Sequence, residues 1–300
     1  MRICRFFLPG EGARLGAVLG DDVCDLTASG RPEFASLEAL LCAWDVLGEG
    51  AAEWLAEQAA HQPRLASYRA LERPAEATGA YLLRPTDTQE IWAAGVTYYR
   101  SRHAREEESH GSGIYDRVYA AARPEIFFKA TPNRTAGPFE PVRVRSDSRW
   151  CVPEPELALV LTPQLKLAGY TIGNDMSARD IEGENPLYLP QAKIHRGCCA
   201  LGPCIVLPDE FDIEQPATIA CAVYRGGRIA FEGETRTDQM VRLTSELIAY
   251  LGRDNEFPSG AVLLTGTGIV PPDSFCLQVG DRVEIRIDRI GALVNPVERC

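Results

Sequence analysis

The chain has 300 residues with a formal net charge of −11, and 45% of its residues are hydrophobic. This length allows one large domain or two smaller ones, with a sizeable core. The acidic balance disfavours nucleic acids and anionic membrane surfaces as partners, because both require basic patches on the protein. It does not exclude a small anionic substrate, since a local site can be positive on an acidic protein.

The sequence predicts neither export nor membrane insertion. The first residues, MRICRFFLPGEG, lack a sustained apolar region with a small-residue cleavage site. No apolar run reaches the roughly 18 residues of a membrane-spanning helix. The ten cysteines are scattered and include no C-x-x-C pair, which disfavours a zinc site. We therefore expect a cytoplasmic protein with reduced thiols.

Residues 1–84 are predicted to form a small N-terminal domain. Two strand-like segments around glycine turns, RICRFFLP and ARLGAVLGDDVCDL, come first. In EFASLEALLCAWDVLGEGAAEWLAEQAAHQ, apolar residues recur at spacings of three and four, which predicts one or two helices with a break at GEG. The stretch RPAEATGAYLLRPTDTQE is rich in Pro, Gly and Thr and predicts a boundary near residue 85.

Residues 85–300 are predicted to form a second domain that is dominated by strands. Runs such as EIFFKAT, ELALVL, AGYTIGND and DRVEIRID are short and rich in strand-forming residues, and YRGGRI is a strong hairpin turn. One long helix is predicted in TDQMVRLTSELIAYLGRD. The charged stretch AREEESHGSG predicts either a solvated loop or a lid over a site. The fold class is therefore α+β and β-dominated, without alternating βα units.

A pair of glutamates begins the apolar run in RWCVPEPELALVL, residues 149–161. Alternate residues of a strand share a face, so Glu154 and Glu156 point the same way and repel each other unless a counter-charge lies between them. Asp175, at the end of GYTIGND, is a candidate third ligand. Three carboxylates favour Mg²⁺, with Mn²⁺ or Ca²⁺ as alternatives, and leave positions open for substrate. Spacing alone also allows two solvated glutamates and a turn-forming aspartate.

The E-x-E pair, the string NDMSARD and the lysine of QAKIH resemble the fumarylacetoacetate hydrolase superfamily, and the resemblance covers residues 85–300. The strings RPEIFFKATPNR, VRSDSRWCVPEPELALVL, DIEGENPLYLPQAKIHRGCCALGP and GTGIVP are most similar to its branch of 2-keto-3-deoxy-D-arabinonate dehydratases. The resemblance implies a mixed β-sandwich or roll with a small N-terminal α/β domain. It also implies a homodimer or homotetramer, the usual assembly of the superfamily.

The same resemblance implies roles for individual residues. Glu154, Glu156 and Asp175 correspond to the metal ligands, usually of Mg²⁺. Lys193 corresponds to the active-site lysine and Glu125 to a catalytic glutamate of the branch. Further candidates for substrate binding are Lys129, Thr267, Tyr98 and Arg102. We expect Arg179 and Asp180 to be structural, as a buried ion pair or a cap that supports Asp175.

These residue types suit chemistry on a 2-oxo acid. Such an acid chelates a metal through its carboxylate and keto oxygens, and the metal then acidifies the protons at C3 as a Lewis acid. Loss of a C3 proton and of the C4 hydroxyl, followed by a shift of a C5 proton, converts a 2-keto-3-deoxy-pentonate to 2,5-dioxopentanoate. Lys193 is a candidate C3 base, and Glu125 is a candidate to protonate the leaving hydroxyl or to relay the C5 proton. Which group is acid and which is base stays open.

The main alternative is a metal-dependent hydrolase that cleaves a C–C bond of acylpyruvates. His103 and Glu106 have the H-x-x-E spacing of the water-activating dyad of such hydrolases. A 2-oxo acid decarboxylase is a further alternative. A non-catalytic 2-oxo acid binding protein would be expected to lose the proton-transfer groups, so the presence of both Glu125 and Lys193 favours an enzyme.

Overall fold

The computed structural model describes residues 1–75, 78–98 and 121–300. The strands of this part are β1 (Arg2–Leu8), β2 (Gly12–Leu19), β3 (Asp22–Asp25), β4 (Arg64–Ser67), β5 (Tyr81–Leu83), β6 (Glu90–Gly95), β7 (Glu125–Ala130), β8 (Thr135–Ala136), β9 (Val142–Val144), β10 (Cys151–Val152), β11 (Pro155–Leu161), β12 (Leu167–Asp175), β13 (Ser177–Ala178), β14 (Cys199–Val206), β15 (Thr218–Arg225), β16 (Arg228–Arg236), β17 (Ala261–Leu264), β18 (Arg282–Ile287) and β19 (Gly291–Arg299). The α-helices are α1 (Leu37–Leu47), α2 (Ala51–Ala60), α3 (Tyr68–Leu71), α4 (Arg179–Glu184), α5 (Leu189–Lys193) and α6 (Thr244–Leu251). The prediction of a β-dominated α+β fold is confirmed.

A mixed sheet of twelve strands forms the centre of the molecule. Its main path runs β4-β3-β2-β1-β14-β12-β11-β17-β6-β7, with β5 paired to β1 and β8 paired to β14. The N-terminal strands join this sheet where β1 pairs with β14, so that Arg2 lies opposite Val206. The domain boundary near residue 85 stays a prediction, and strands from both sides of it share one sheet.

A second sheet of five strands, β16-β15-β18-β19-β9, packs on one face of the first. Its first hairpin turns at Gly226 and Gly227, whose φ angles are 56° and 79°. Two successive positive φ angles are what a tight two-residue hairpin requires, and glycine adopts them without strain. The hairpin predicted from YRGGRI is therefore confirmed.

Strand β11 is buried on both faces. Leu157 and Leu159 belong to the apolar cluster that also contains side chains of the five-stranded sheet. Ala158 and Val160 belong to a second cluster, which contains side chains of α1 and α2. Because both faces are covered, residues 157–161 (LALVL) are continuously apolar instead of alternating. The start of this strand, where the two glutamates stand, therefore lies inside the molecule.

The helices near the N-terminus match the prediction from the sequence, whereas the helix near the C-terminus is shorter than predicted. The pair α1 and α2, separated by a 3-10 turn at Gly48–Gly50, matches the predicted break. The long helix predicted in TDQMVRLTSELIAYLGRD is wrong in extent, because only Thr244–Leu251 is α-helical. Met240 forms an antiparallel bridge with Tyr98, which requires an extended backbone there. Within the described residues, no helix is long and apolar enough to cross a membrane.

Candidate active site

Three carboxylates meet at one end of the β11–β12 pair. Glu154 precedes β11, Glu156 lies within it and Asp175 ends β12. The strands are antiparallel, with Pro155 opposite Asn174, so the start of one strand lies beside the end of the other. One carboxylate oxygen from each of the three residues lies within 4.8 Å of the others. The structure therefore brings together the three predicted metal ligands, and none is more than 2% exposed.

The electrostatics of this triad suit a divalent cation. Burial raises the pKa of Glu156 well above its ordinary value, and the negative charges of Asp175 and Glu154 raise it further. A cation among the three oxygens would remove the repulsion and replace the lost hydration. Three hard oxygen donors match the ligand preference of Mg²⁺, Mn²⁺ and Ca²⁺. The residues present thus fit the predicted metal.

Lys193 points its ammonium group at this triad. Nζ donates hydrogen bonds to Glu154 Oε2 at 2.7 Å, to Asp175 Oδ2 at 3.0 Å and to Ser177 Oγ at 2.6 Å. The hydroxyl of Ser177 in turn donates to the carbonyl oxygen of Asp175 at 3.1 Å, which leaves an oxygen lone pair for the lysine. The short helix α5 ends at Lys193, and the side chain is 2% exposed. Its amine therefore lies beside the position that a substrate bound to the metal would occupy.

Lys129 lies behind the triad. Its Nζ is 2.5 Å from Asp175 Oδ1, and it donates to the carbonyl oxygen of Met176 at 2.9 Å and to that of Lys193. It is fully buried and is absent from the residues that line the cavity described below. Lys129 thus holds Asp175 and the backbone of Lys193 in place. This position gives no support to the predicted contact with substrate.

Arg179 adds a third buried cation. Its Nη2 lies 2.9 Å from Glu154 Oε1, and both side chains are almost completely buried. Asp180, its neighbour, instead accepts a hydrogen bond from Ser148 Oγ at 2.6 Å. Arg179 thus forms a buried ion pair with Glu154, a metal-ligand candidate, and its structural role stays a prediction.

One cavity opens over the triad. The side chains on its walls include the three carboxylates and Lys193, together with Glu125, Phe127, Glu182 and Thr267. Glu125 and Thr267 are thus gathered with the triad, as the sequence predicted. Glu182 was not singled out by the sequence. The only available signal is its position three residues after Arg179, which places both on one face of a helix.

Glu125 enters the cavity from strand β7. It pairs with Gly95 of β6, and a Cβ atom on that glycine would lie 2.1 Å from Glu125 Oε2. The glycine therefore leaves the space that the carboxylate occupies. Glu125 is only half-buried, so it lies closer to solvent than the triad does.

The described part of the structure does not place the remaining predicted site residues in the cavity. Tyr98 is 2% exposed, and burial followed by the charge of Glu156 raises its pKa. It is absent from the residues that line the cavity. Arg102 and the alternative dyad of His103 and Glu106 lie outside the described residues. Substrate binding by Tyr98 and Arg102 stays a prediction.

Comparison with known proteins decides the family. A profile described as fumarylacetoacetate (FAA) hydrolase C-terminal matches residues 90–298. The chain belongs to the fumarylacetoacetate hydrolase family. That family accounts for the resemblance of the motifs around the carboxylates and Lys193.

Three members of the family illustrate the similarity. The chain is 51% identical over 213 residues to a probable 2-keto-3-deoxyxylonate dehydratase of Haloferax volcanii, covering 71% of this chain and 73% of the relative. It is 48% identical over 236 residues to a 2-dehydro-3-deoxy-D-arabinonate dehydratase of Saccharolobus solfataricus, covering 77% and 79%. A solved structure of 2-keto-3-deoxy-D-arabinonate dehydratase with magnesium and 2,5-dioxopentanoate matches at a TM-score of 0.84 and 39% identity, covering 100% of this chain and 99% of that one.

Proposed function

We propose that the protein is a Mg²⁺-dependent hydro-lyase that converts a 2-keto-3-deoxy-pentonate, with 2-keto-3-deoxy-D-arabinonate as first candidate, to 2,5-dioxopentanoate. The observation that carries the proposal is the contact of Lys193 Nζ with two of three buried metal-ligand candidates in a cavity that Glu125 also lines. Support comes from the similar dehydratases and from the magnesium and product in the related solved structure.

Each group of the site has a task in this reaction. Glu154, Glu156 and Asp175 would hold Mg²⁺, which would supply Lewis acidity toward the keto group. Lys193 removes a proton from C3, because its amine contacts Glu154 and Asp175. Glu125 protonates the C4 hydroxyl as it leaves. Proton transfer by groups fixed in this way typically accelerates a reaction by about 10²–10⁴-fold.

The charge of the site suits an anionic substrate. Two carboxylates of the triad, Glu154 and Asp175, form ion pairs with three cations, Lys129, Lys193 and Arg179. A divalent cation among these groups would add positive charge, which favours the binding of a negatively charged 2-oxo acid. A small anionic sugar acid is therefore the partner that we propose, and the net charge of −11 continues to disfavour nucleic acid.

The proposal extends to location and assembly. All ten cysteines lie in the described part of the chain and are free thiols, which supports a reducing compartment such as the cytoplasm. A homodimer or homotetramer is proposed by analogy with the superfamily. Size-exclusion chromatography with light scattering measures that state, and a monomer at working concentration would contradict it.

The proposed activity is tested by incubating the protein with 2-keto-3-deoxy-D-arabinonate and, separately, with an acylpyruvate. Each incubation is run with Mg²⁺ and with EDTA. We expect 2,5-dioxopentanoate from the sugar acid only when Mg²⁺ is present, and no cleavage of the acylpyruvate. Failure to form 2,5-dioxopentanoate with Mg²⁺ would refute the proposal, and cleavage of the acylpyruvate would favour the hydrolase.

A further inference from the structure

The proposed conversion moves hydrogen at three neighbouring carbons. C3 loses a proton, the C4 oxygen leaves with an added proton, and a hydrogen of C5 must finally be replaced by one at C4. Lys193 touches Glu154 and Asp175, so its amine is placed for the carbon next to the chelated keto group. C5 lies two carbons farther along the substrate. The shift of the C5 proton therefore needs a group that reaches past Lys193, which is either Glu125 used a second time or another carboxylate of the cavity.

Glu182 lies on a wall of the same cavity and has no task in the scheme above. It belongs to α4, and Arg179 of that helix contacts Glu154 at 2.9 Å. Residues three apart on a helix share a face, so the face that carries Glu182 is held against the triad. Glu182 is 3% exposed, whereas Glu184 on the same helix is exposed.

The two additional carboxylates of the cavity differ in their access to water. Glu125 is half-buried on β7, which suits the acid whose product is a departing water molecule. Glu182 is shielded on α4. A shielded base keeps a proton that it has taken from carbon, because excluding water prevents proton leakage.

From this arrangement, and given the proposed dehydration on which it rests, we infer that Glu182 is a further catalytic residue that carries a proton from C5 to C4 within the cavity. After loss of water the intermediate has a C3=C4 double bond conjugated with the C2 ketone. Glu182 takes a C5 proton, the C5–H electron pair forms C4=C5, and the C3=C4 pair shifts to C2=C3 as the keto oxygen gains charge.

The second half of the step returns the proton. The C5 hydroxyl gives its proton to solvent, from which Glu125 is reprotonated, and becomes the aldehyde carbonyl, while the C4=C5 pair takes the proton from Glu182 at C4. Ketonisation at C2 then returns to C3 the proton that Lys193 had removed. The hydrogen lost from the C5 carbon thus appears at C4, and the substrate differs from the product by one water molecule.

The test uses a substrate with two deuterium atoms at C5. We expect the wild-type product, reduced at once with borohydride to prevent exchange, to carry deuterium at C4 in mass spectra and NMR. Glu182→Gln should form product about 10²–10⁴-fold more slowly and lose the transferred deuterium. Glu184→Gln, an exposed control on the same helix, should behave as wild type.

A second measurement separates this role from a structural one. With 2-oxopentanoate, which has no C4 hydroxyl, wild type and Glu182→Gln should exchange C3 protons in D₂O with Mg²⁺ at similar rates. Loss of that exchange in Glu182→Gln, wild-type product formation by Glu182→Gln, or a wild-type product with only solvent hydrogen at C4 would overturn the inference. None of these affects the proposed dehydration, which fails only if the wild-type enzyme forms no 2,5-dioxopentanoate.

Discussion

At the scale of single residues, Lys193 is the centre of the site. Its three N–H donors are taken by Glu154, Asp175 and Ser177. A cation held by Glu154 and Asp175 would compete with Lys193 for their carboxylates, while Ser177 could keep its contact with the lysine. Lys193 would then be able to face a substrate, and it acts as a base once it has lost one proton to solvent.

Lys193→Met is expected to lower product formation by about 10²–10⁴-fold, because it removes the proposed base at C3 and leaves the three metal-ligand candidates unchanged in sequence. Its affinity for Mg²⁺, measured by isothermal titration calorimetry, should be kept or increased, since a cation that competes for two ligands has gone. Lys166→Met, at a lysine that is half exposed, serves as the control and should leave activity unchanged. Normal product formation by Lys193→Met would contradict the assignment.

The sequence was sufficient for some site residues and insufficient for others. Glu154 and Glu156 were predictable because strand geometry puts alternate side chains on one face, and a buried apolar run follows them. The inward position of Glu182 was not predictable. In DIEGEN three acidic residues alternate, and only the packing of α4, fixed by Arg179 on Glu154, selects which one enters the cavity.

At the scale of elements, the β6–β7 pair positions Glu125. The register puts Gly95 directly opposite Glu125, and the carboxylate occupies the space where a side chain of residue 95 would start. The missing Cβ atom of Gly95 thus leaves room for the side chain of Glu125, the candidate acid, on the next strand. The same strand pair continues the sheet outward from β17.

Gly95→Ala is expected to lower the turnover number by up to about 10²–10⁴-fold, which is the loss expected when a general acid or base is displaced. A Cβ atom 2.1 Å from Glu125 Oε2 forces that side chain to rotate away. Gly50→Ala is the control, because nothing lies within 4 Å of its added methyl group. Steady-state kinetics and thermal unfolding of both variants check this, and unchanged turnover in Gly95→Ala would show that Glu125 has no such role.

Elements that are determined by local residues match the prediction from the sequence. Elements that depend on contacts between distant residues do not. The Gly226-Gly227 hairpin needs only its own turn residues. The helix predicted through residue 240 competes with the bridge between Met240 and Tyr98, which are far apart in sequence. The joining of β1 to β14 likewise depends on a pairing that no local pattern encodes.

At the scale of the whole molecule, a strongly acidic protein buries further negative charge in its core. Lys129, Lys193 and Arg179 contact Glu154 and Asp175. Burial raises the pKa of Glu156, and the charges of Asp175 and Glu154 raise it further. The folded state therefore gains stability from any divalent cation that binds the triad.

Mg²⁺ is expected to raise the unfolding temperature, with a gain of about 2.7 kcal/mol when free Mg²⁺ is a hundred times the dissociation constant. The gain should increase with pH. The pKa of Glu156 is raised by folding, so its protonation stabilises the metal-free protein at low pH, and this stabilisation is lost as pH rises through the raised value.

Thermal unfolding with EDTA and with Mg²⁺, at about pH 5 and about pH 8, measures the stabilisation by Mg²⁺ and its dependence on pH. Glu156→Gln, which keeps the shape of the side chain, should abolish the effect of Mg²⁺ and flatten the pH dependence of the metal-free protein. An equal gain from Mg²⁺ at both pH values would contradict the argument.

Strand β11 is buried on both faces, so substitutions near its carboxylates are more disruptive than substitutions on the elements that flank the core. The three metal-ligand candidates lie in or directly beside strands that are buried in the core, so the proposed activation of a 2-oxo acid at C3 depends on the integrity of the fold. Glu125 and Glu182 come from β7 and α4, which flank that core. Substitutions on these two short elements can redirect the chemistry beyond C3, in evolution or by engineering, while the common first step is retained.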